Sequence, residues 1–472
     1  MRFKRLYDDK LAQASYIIAC EQTKSAIVID PLRDVERYLA AANAEKVRIE
    51  HVTETHIHAD FLSGAQDLAL ATGAQLHLSA MGGNDWQYNV AEKPYVNLLT
   101  DGLAFVVGTV RIEVVHTPGH TPEHLTFLVT DTTTASEPIG AVTGDFIFVG
   151  DVGRPDLLET AAGIAGTKES SARDLFRSLQ RFKKLPDYLQ IWPGHGAGSA
   201  CGKSLSSTPQ STLGYEKLFN WALVETDEDA FVRQVLDGQP DPPAYFAVMK
   251  RMNRDIPAPR ERVSVPMLSA EEIGARIRDG ALVIDTRDKL AFATRHAAGT
   301  VNVPWTKSFL TYGGQILPYD RDLFLIVNMF DKADAIANDL ALIGLDRIAG
   351  AHAFNPRASL DGAEMSSTAQ MSTEYLAARM HDVTVVDVRR DDEWEEGHIP
   401  GAIHIPLAAL SKRFAEIPND KPIAVHCQGG TRSAIAASIL ETNSIHAANV
   451  PGGFSEWIAS GYAVEREGTA QR

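Results

Sequence analysis

Up to residue 256, short runs of apolar and β-branched residues alternate with segments of helical spacing. Residues 26–29 form one such run and stop at Asp30-Pro31, after which 35–44 space their apolar positions as a helix does. A second helical segment, 65–72, stops at Gly73. The stretches 75–78, 103–107, 111–115, 125–130 and 141–149 read as short strands separated by Gly and Asp turn signals. Residues 170–182 are a further helix, and 188–192 a strand running into a Gly-rich loop. Strands followed by helices, repeated once, predict an αββα sandwich.

Pro, Arg and Glu dominate 256–266, which reads as a linker. Beyond it the pattern duplicates. V-I-D-T-R at 283–287 recurs as V-V-D-V-R at 385–389, and His296, Gly299, Val301 and Pro304 recur as His398, Gly401, Ile403 and Pro406, each pair 102 residues apart. Two copies of one α/β fold follow, with a second linker at 366–372. The fold class is therefore α/β multidomain, with domains at 1–256, 259–362 and 368–472.

Composition narrows the classes. With 44% apolar and 22% charged residues the chain is globular in type, and no run approaches the ~20 apolar residues of a membrane span. The charged N-terminus meets only a short apolar patch at 14–20, so no secretory signal is read; a cytoplasmic location is expected, with no membrane partner. A net charge of −16 argues against nucleic acid as a partner. Three distant cysteines, Cys20, Cys201 and Cys427, argue against a disulfide framework and leave thiol chemistry.

The segment 55–64, T-H-I-H-A-D-F-L-S-G, places His56, His58 and Asp60 at alternate positions after an apolar-leaning run, on one face of an extended segment. Two imidazoles and a carboxylate side by side are costly to bury without a metal or partner, and suit zinc, iron or manganese. Three more strand ends carry such groups: His120 in V-V-H-T-P-G-H, Asp145 in T-G-D and His195 in W-P-G-H-G. His116 and His124 nearby read as packing or surface histidines.

H-I-H-A-D, P-G-H-T, T-G-D and P-G-H in this order resemble the metallo-β-lactamase fold. Binuclear hydrolases of that family read H-x-H-x-D-H, whereas Phe61 stands at the last position here, so a second ion is not expected. Within the superfamily the chain looks most similar to the persulfide dioxygenases. That resemblance implies one Fe(II) per chain held by His56, His120 and Asp145, with His58, Asp60 and His195 orienting ligands or moving protons around it. Arg154, in a G-R-x-D match, is expected to meet an anionic part of a thiol substrate. Cys201 is expected at the mouth of the site, either as a carrier of sulfane sulfur or as a small buried hydrophobe. The spacing of a phosphate loop fails at 194–204, because Ala197 stands where Gly is required.

The run H-C-Q-G-G-T-R-S at 426–433 follows a buried-type strand and enters a helix. A cysteine there meets backbone N–H groups, the helix dipole and Arg432, and is expected as a thiolate nucleophile. The phosphatase spacing C-x5-R is one residue longer than the interval from Cys427 to Arg432. With the run at 387–402 and P-G-G-F-S-E-W at 451–457, this loop resembles the rhodaneses. The resemblance assigns Cys427 a persulfide, stabilised by Arg432 and by the loop residues Gln428, Gly429, Gly430 and Thr431. In the middle repeat Asn328-Met329 align with His426-Cys427, and a thioether cannot form a persulfide. That repeat is read as an inactive rhodanese, and its Gly313-Gly314 pair as a turn.

The order of domains resembles persulfide dioxygenase-rhodanese fusions of sulfide detoxification. The implied partners are a low-molecular-weight thiol persulfide, of glutathione, coenzyme A or similar, and O2, in a homo-oligomer. The alternative is a glyoxalase II-like metallohydrolase of thioesters with sulfur-carrier domains.

Overall fold

The computed structural model describes residues 1–157, 159, 166–239, 241–260 and 264–466. The expected linker at 256–266 and the last domain at 368–472 therefore lie partly outside the described residues. Two compact units are present: Met1–Glu261 with Ala341–Gly344, and Arg262–Leu340 with Leu345–Arg472. Among the described residues no helix is long and apolar enough to cross a membrane.

The first unit is the αββα sandwich. Its first sheet takes six strands in chain order, from Arg2–Asp8 to Val96–Leu99, and its second takes six in reverse order, from Ser211–Thr212 to Ala104–Val107. Tyr16, Ile18 and Ile27 of the first sheet pack with Ile112, Phe127, Val142 and Trp192 of the second, forming the central core. A second core lies on the outer face of the second sheet, where Leu175 and Leu179 of helix Lys168–Phe182 meet Leu128, Ala141 and Ile191. The apolar strand residues thus serve both faces, which is why the runs read as continuous rather than alternating.

Strand ends gather at one edge of this sandwich because several strands stop at tight turns. The strand expected at 141–149 runs only over Gly140–Gly144. Gly144 adopts φ +48 with its α-carbon against Thr55, a position that a side chain would obstruct. At Gly153 an added Cβ would overlap the carbonyl oxygen of Asp145. These glycines let two backbones close on the carboxylate-bearing turn.

The second unit contains both repeats, each with its own core. Val301–Asn302, Leu282–Asp285, Leu323–Val327 and Ile348–Ala353 lie side by side as one parallel sheet; Ile403–His404, Thr384–Asp387, Ile423–His426 and Ala447–Asn449 form the other in the same order. The V-x-D-x-R signature makes the same buried structure twice. Arg287 pairs with Asp285 at 2.6 Å, lies 3.7 Å over Phe354 and donates to the Arg295 carbonyl. Arg389 pairs with Asp387 at 2.6 Å, lies 3.9 Å over Phe454 and donates to the Gly397 carbonyl. The Gly313-Gly314 pair, read as a turn, lies inside helix Phe309–Ile316, where Gly313 packs close to Leu317 and Leu340.

Arg389→Ala would leave Asp387 buried and unpaired, so a loss of about 3–5 kcal/mol is expected in denaturant unfolding of this unit. Arg287→Ala should produce a loss of similar size, and a change near zero in both would show that the pairs do not hold the repeats together.

Candidate functional site

His56 follows the strand Arg48–Thr53, His120 and Asp145 sit on turns after strands of the second sheet, and His195 follows Gln190–Pro193. Ligand atoms of His56, His120 and Asp145 lie within 4.8 Å of one another, all buried. The hydrogen bonds of the rings decide which nitrogen is free. Thr55 Oγ1 donates to Asp30 Oδ2 at 3.0 Å, so it accepts from His56 Nδ1 at 2.9 Å. His120 Nδ1 donates to the Arg154 carbonyl at 2.9 Å, and His195 Nδ1 to the Ala12 carbonyl at 3.1 Å, since a carbonyl can only accept. In all three rings Nε2 is left with its lone pair. These atoms stand 4.0, 3.5 and 3.4 Å from the oxygens of Asp145.

Burial, reinforced by the neighbouring imidazoles, pushes His56 well below the usual histidine range, and burial also lowers His120 against the pull of Asp145. Both are therefore neutral ligands. Asp145 is buried, and neither of its oxygens has a hydrogen-bond partner among the described residues. A bare carboxylate ringed by imidazole lone pairs is unfavourable in a dry interior unless a cation joins them. The donor set thus fits a divalent metal.

His58 is turned away from this set. Its Nε2 lies 3.2 Å from Asp30 Oδ1, and its ring packs 4.3 Å from Phe61. Burial alone would lower His58, but Asp30, with Glu54 and Asp60 adding, raises it to about 9, so it is an imidazolium. Asp60 faces His195 Nε2 at 3.3 Å instead. Asp60, His195 and Cys201 form a second group of convergent donors, all buried. Burial, then the charges of Asp60 and Asp145, push the Cys201 thiol well up. It keeps its proton in that setting.

Arg154, expected to meet an anionic part of a substrate, has a carboxylate partner within the chain: its guanidinium is buried, donating to both oxygens of Asp156 at 2.9 and 2.6 Å and to the Ala200 carbonyl at 3.2 Å. It pins the loop that carries Cys201. Arg432 is similarly committed, donating to both oxygens of Glu393 at 2.5 and 2.7 Å. Cys427 is buried at the end of Ile423–His426, and its sulfur accepts from the Gly430 N–H at 3.1 Å and from Ser433 Oγ at 3.5 Å. Gly430 takes φ +81, where an added Cβ would overlap the Pro451 carbonyl. Gln428 Nε2 donates to Ser455 Oγ, while the Gly429 carbonyl and Thr431 Oγ1 accept from Lys289 Nζ.

Several supporting residues were not evident in the sequence. Asp30, at φ +53, holds Thr55 and His58 together. Glu123 accepts the Ile57 N–H at 2.7 Å, fixing the backbone between the two histidines. His124, read as a packing residue, accepts the Asp145 N–H at Nε2 and is itself anchored on Thr117. A His four residues after His120 was the available signal, but nothing in the spacing distinguishes an anchor from a packed ring.

Residues 8–195 match the family profile of the metallo-beta-lactamase superfamily, and residues 372–460 that of the rhodanese-like domain. A solved metallo-beta-lactamase from Staphylococcus aureus subsp. aureus COL is 40% identical, with a TM-score of 0.67, covering 75% of this chain and 98% of that one. The probable polyketide biosynthesis zinc-dependent hydrolase BaeB of Bacillus velezensis is 26% identical over 213 residues, 45% of this chain and 85% of that protein. The uncharacterized protein YqhL of Bacillus subtilis is 40% identical over 88 residues, 18% of this chain and 70% of that protein.

His124→Ala should loosen the turn that aims Asp145 and weaken metal affinity about 10–100-fold in competition with a chelator. His116→Ala should leave affinity unchanged, because that ring's hydrogen bond goes to the Pro122 carbonyl and not to a residue of the donor set. Equal affinities for both variants and the parent chain would remove His124 from the support of the site.

Proposed function

The chain belongs to the metallo-beta-lactamase superfamily and carries a rhodanese-like domain, and from that premise we propose that it is an iron persulfide dioxygenase coupled to a sulfurtransferase. The observation that carries this reading is the composition of the first donor set. With His58 withdrawn by Asp30, two imidazoles and one carboxylate remain, the set that suits Fe(II) with positions left open for substrate.

Bound there, iron supplies the activation of O2 and the polarisation of the persulfide sulfur. The chain's own residues prepare the place. Thr55 and the Arg154 carbonyl fix the tautomers of His56 and His120, and burial keeps both neutral. Cys201, protonated and beside Asp60, is suited to hydrogen-bond a bound sulfur rather than to attack it. The overall change consumes R–S–SH, O2 and water and yields R–SH, sulfite and two protons. At Cys427 a persulfide sulfur passes to sulfite, giving thiosulfate and restoring the cysteine thiolate. The thiol carrier is a small compound such as glutathione or coenzyme A, and sulfide detoxification is the role that fits both steps.

A second reading rests on Asp60, His195 and Cys201, which offer donors for another ion although Phe61 replaces a histidine. Two ions would fit a zinc-dependent hydrolase, the class named for BaeB, with a thioester as the substrate of the present chain.

Metal content and O2 uptake separate the two. Iron near one per chain, O2 consumption on adding glutathione persulfide and release of sulfite are expected, with thiosulfate appearing in the parent chain but not in Cys427→Ser. Two zinc ions per chain, no O2 uptake and turnover of a glutathione thioester would establish the hydrolase instead.

A further inference from the structure

The cysteine-free repeat lies against the Cys427 loop within the second unit. Helix Thr431–Thr442, which begins at that loop, packs on Val301–Asn302 of the middle repeat, where the Asn302 N–H donates to Ser438 Oγ at 3.0 Å. At the other end of the helix, Glu441 meets His296 Nε2 at 2.9 Å. The middle repeat is thus anchored along the length of the active helix, and two further contacts join it to the active repeat.

Lys289 is the first of these. It is half-buried, and its Nζ donates to the Gly429 carbonyl at 3.3 Å and to Thr431 Oγ1 at 3.2 Å. An ammonium has three N–H donors, so one is left over. Lys289 has no carboxylate partner among the described residues. Its neighbour Asp288 instead caps the helix by accepting the Leu290 N–H. Helix Phe309–Ile316, which carries Tyr312, is the second contact and packs on Leu407–Arg413 of the active repeat.

The charge balance of the loop gives Lys289 its meaning. Arg432 is the one cation in C-Q-G-G-T-R, and Glu393 neutralises it with two short hydrogen bonds. A persulfide and a sulfur oxyanion are both negative, so their approach needs positive charge that the active repeat has already committed. We propose that Lys289, from the repeat without a cysteine of its own, supplies the positive charge at the Cys427 loop and so sets its preference for a doubly negative co-substrate. The transfer is Cys–S–S⁻ plus SO3²⁻ giving Cys–S⁻ plus S–SO3²⁻: the sulfite sulfur attacks the outer sulfur, the S–S bond breaks, and its electron pair returns to Cys427. Lys289 holds a sulfonate oxygen during attack in either direction. The proposal rests on the reading of Cys427 as a sulfur-transfer cysteine and adds the origin of its charge selectivity.

The full-length chain tests it through alkylation of Cys427, followed by mass spectrometry of its peptide, with an anionic and a neutral reagent of similar size. Lys289→Ala should slow iodoacetate about tenfold, the effect of losing one charge-assisted contact, while leaving iodoacetamide within about twofold. Lys289→Arg should restore the iodoacetate rate. Sulfite should protect Cys427 from iodoacetamide in the parent chain and not in Lys289→Ala. In steady-state transfer, the KM for thiosulfate as donor and for sulfite as acceptor should rise about tenfold with kcat little changed. Equal slowing of both reagents would mean that Lys289 only shapes the loop, and no slowing of either would mean that it takes no part; both overturn the subsite. A parent chain that alkylates with the expected charge preference but transfers no sulfur would refute the function proposed for Cys427 while leaving the anion subsite standing.

Discussion

The first unit depends on a carboxylate that the protein leaves bare. Asp145 is buried, neither of its oxygens has a hydrogen-bond partner among the described residues, and three imidazole Nε2 atoms face it because each Nδ1 is tied to a hydroxyl or carbonyl. Such an arrangement is unfavourable on its own and becomes favourable when a cation enters. The surrounding architecture serves this point. Gly144 and Gly153 let backbone close around the turn, His124 takes its N–H, and the Gly194 carbonyl is held by the Ala14 N–H so that His195 stays in place.

Charge is sorted around that centre by local pairing. Asp30 takes His58 as an imidazolium and so removes it from the ligand set, leaving neutral rings next to Asp145. Arg154 and Asp156 neutralise each other in the interior and pin the loop of Cys201. His58 and Arg154 are thereby committed, and the attraction offered to a metal comes from carboxylates and lone pairs.

The second unit shows which residues two copies of one fold keep in common. Asp, Arg and the aromatic ring beneath it are retained in both repeats because they are buried structure, whose removal would leave an unpaired charge. The loop that carries chemistry is free to change. Met329 is 55% exposed in the middle repeat, whereas Cys427 is 2% exposed in the other. A packed partner without a cysteine of its own can still shape the neighbouring site.

The order of strands and helices, the duplication and the residues His56, His120, Asp145 and Cys427 were legible in the chain itself. Period, turn residues and strand-end histidines are local signals, and local signals survive in one dimension. What tertiary structure alone decided was the partner of each polar group. That His58 meets Asp30, that Arg432 pairs with Glu393 and that Lys289 reaches Gly429 depend on contacts between residues far apart in sequence. A charged side chain in a motif states a capacity for binding. Burial and the nearest opposite charge determine where that capacity is used.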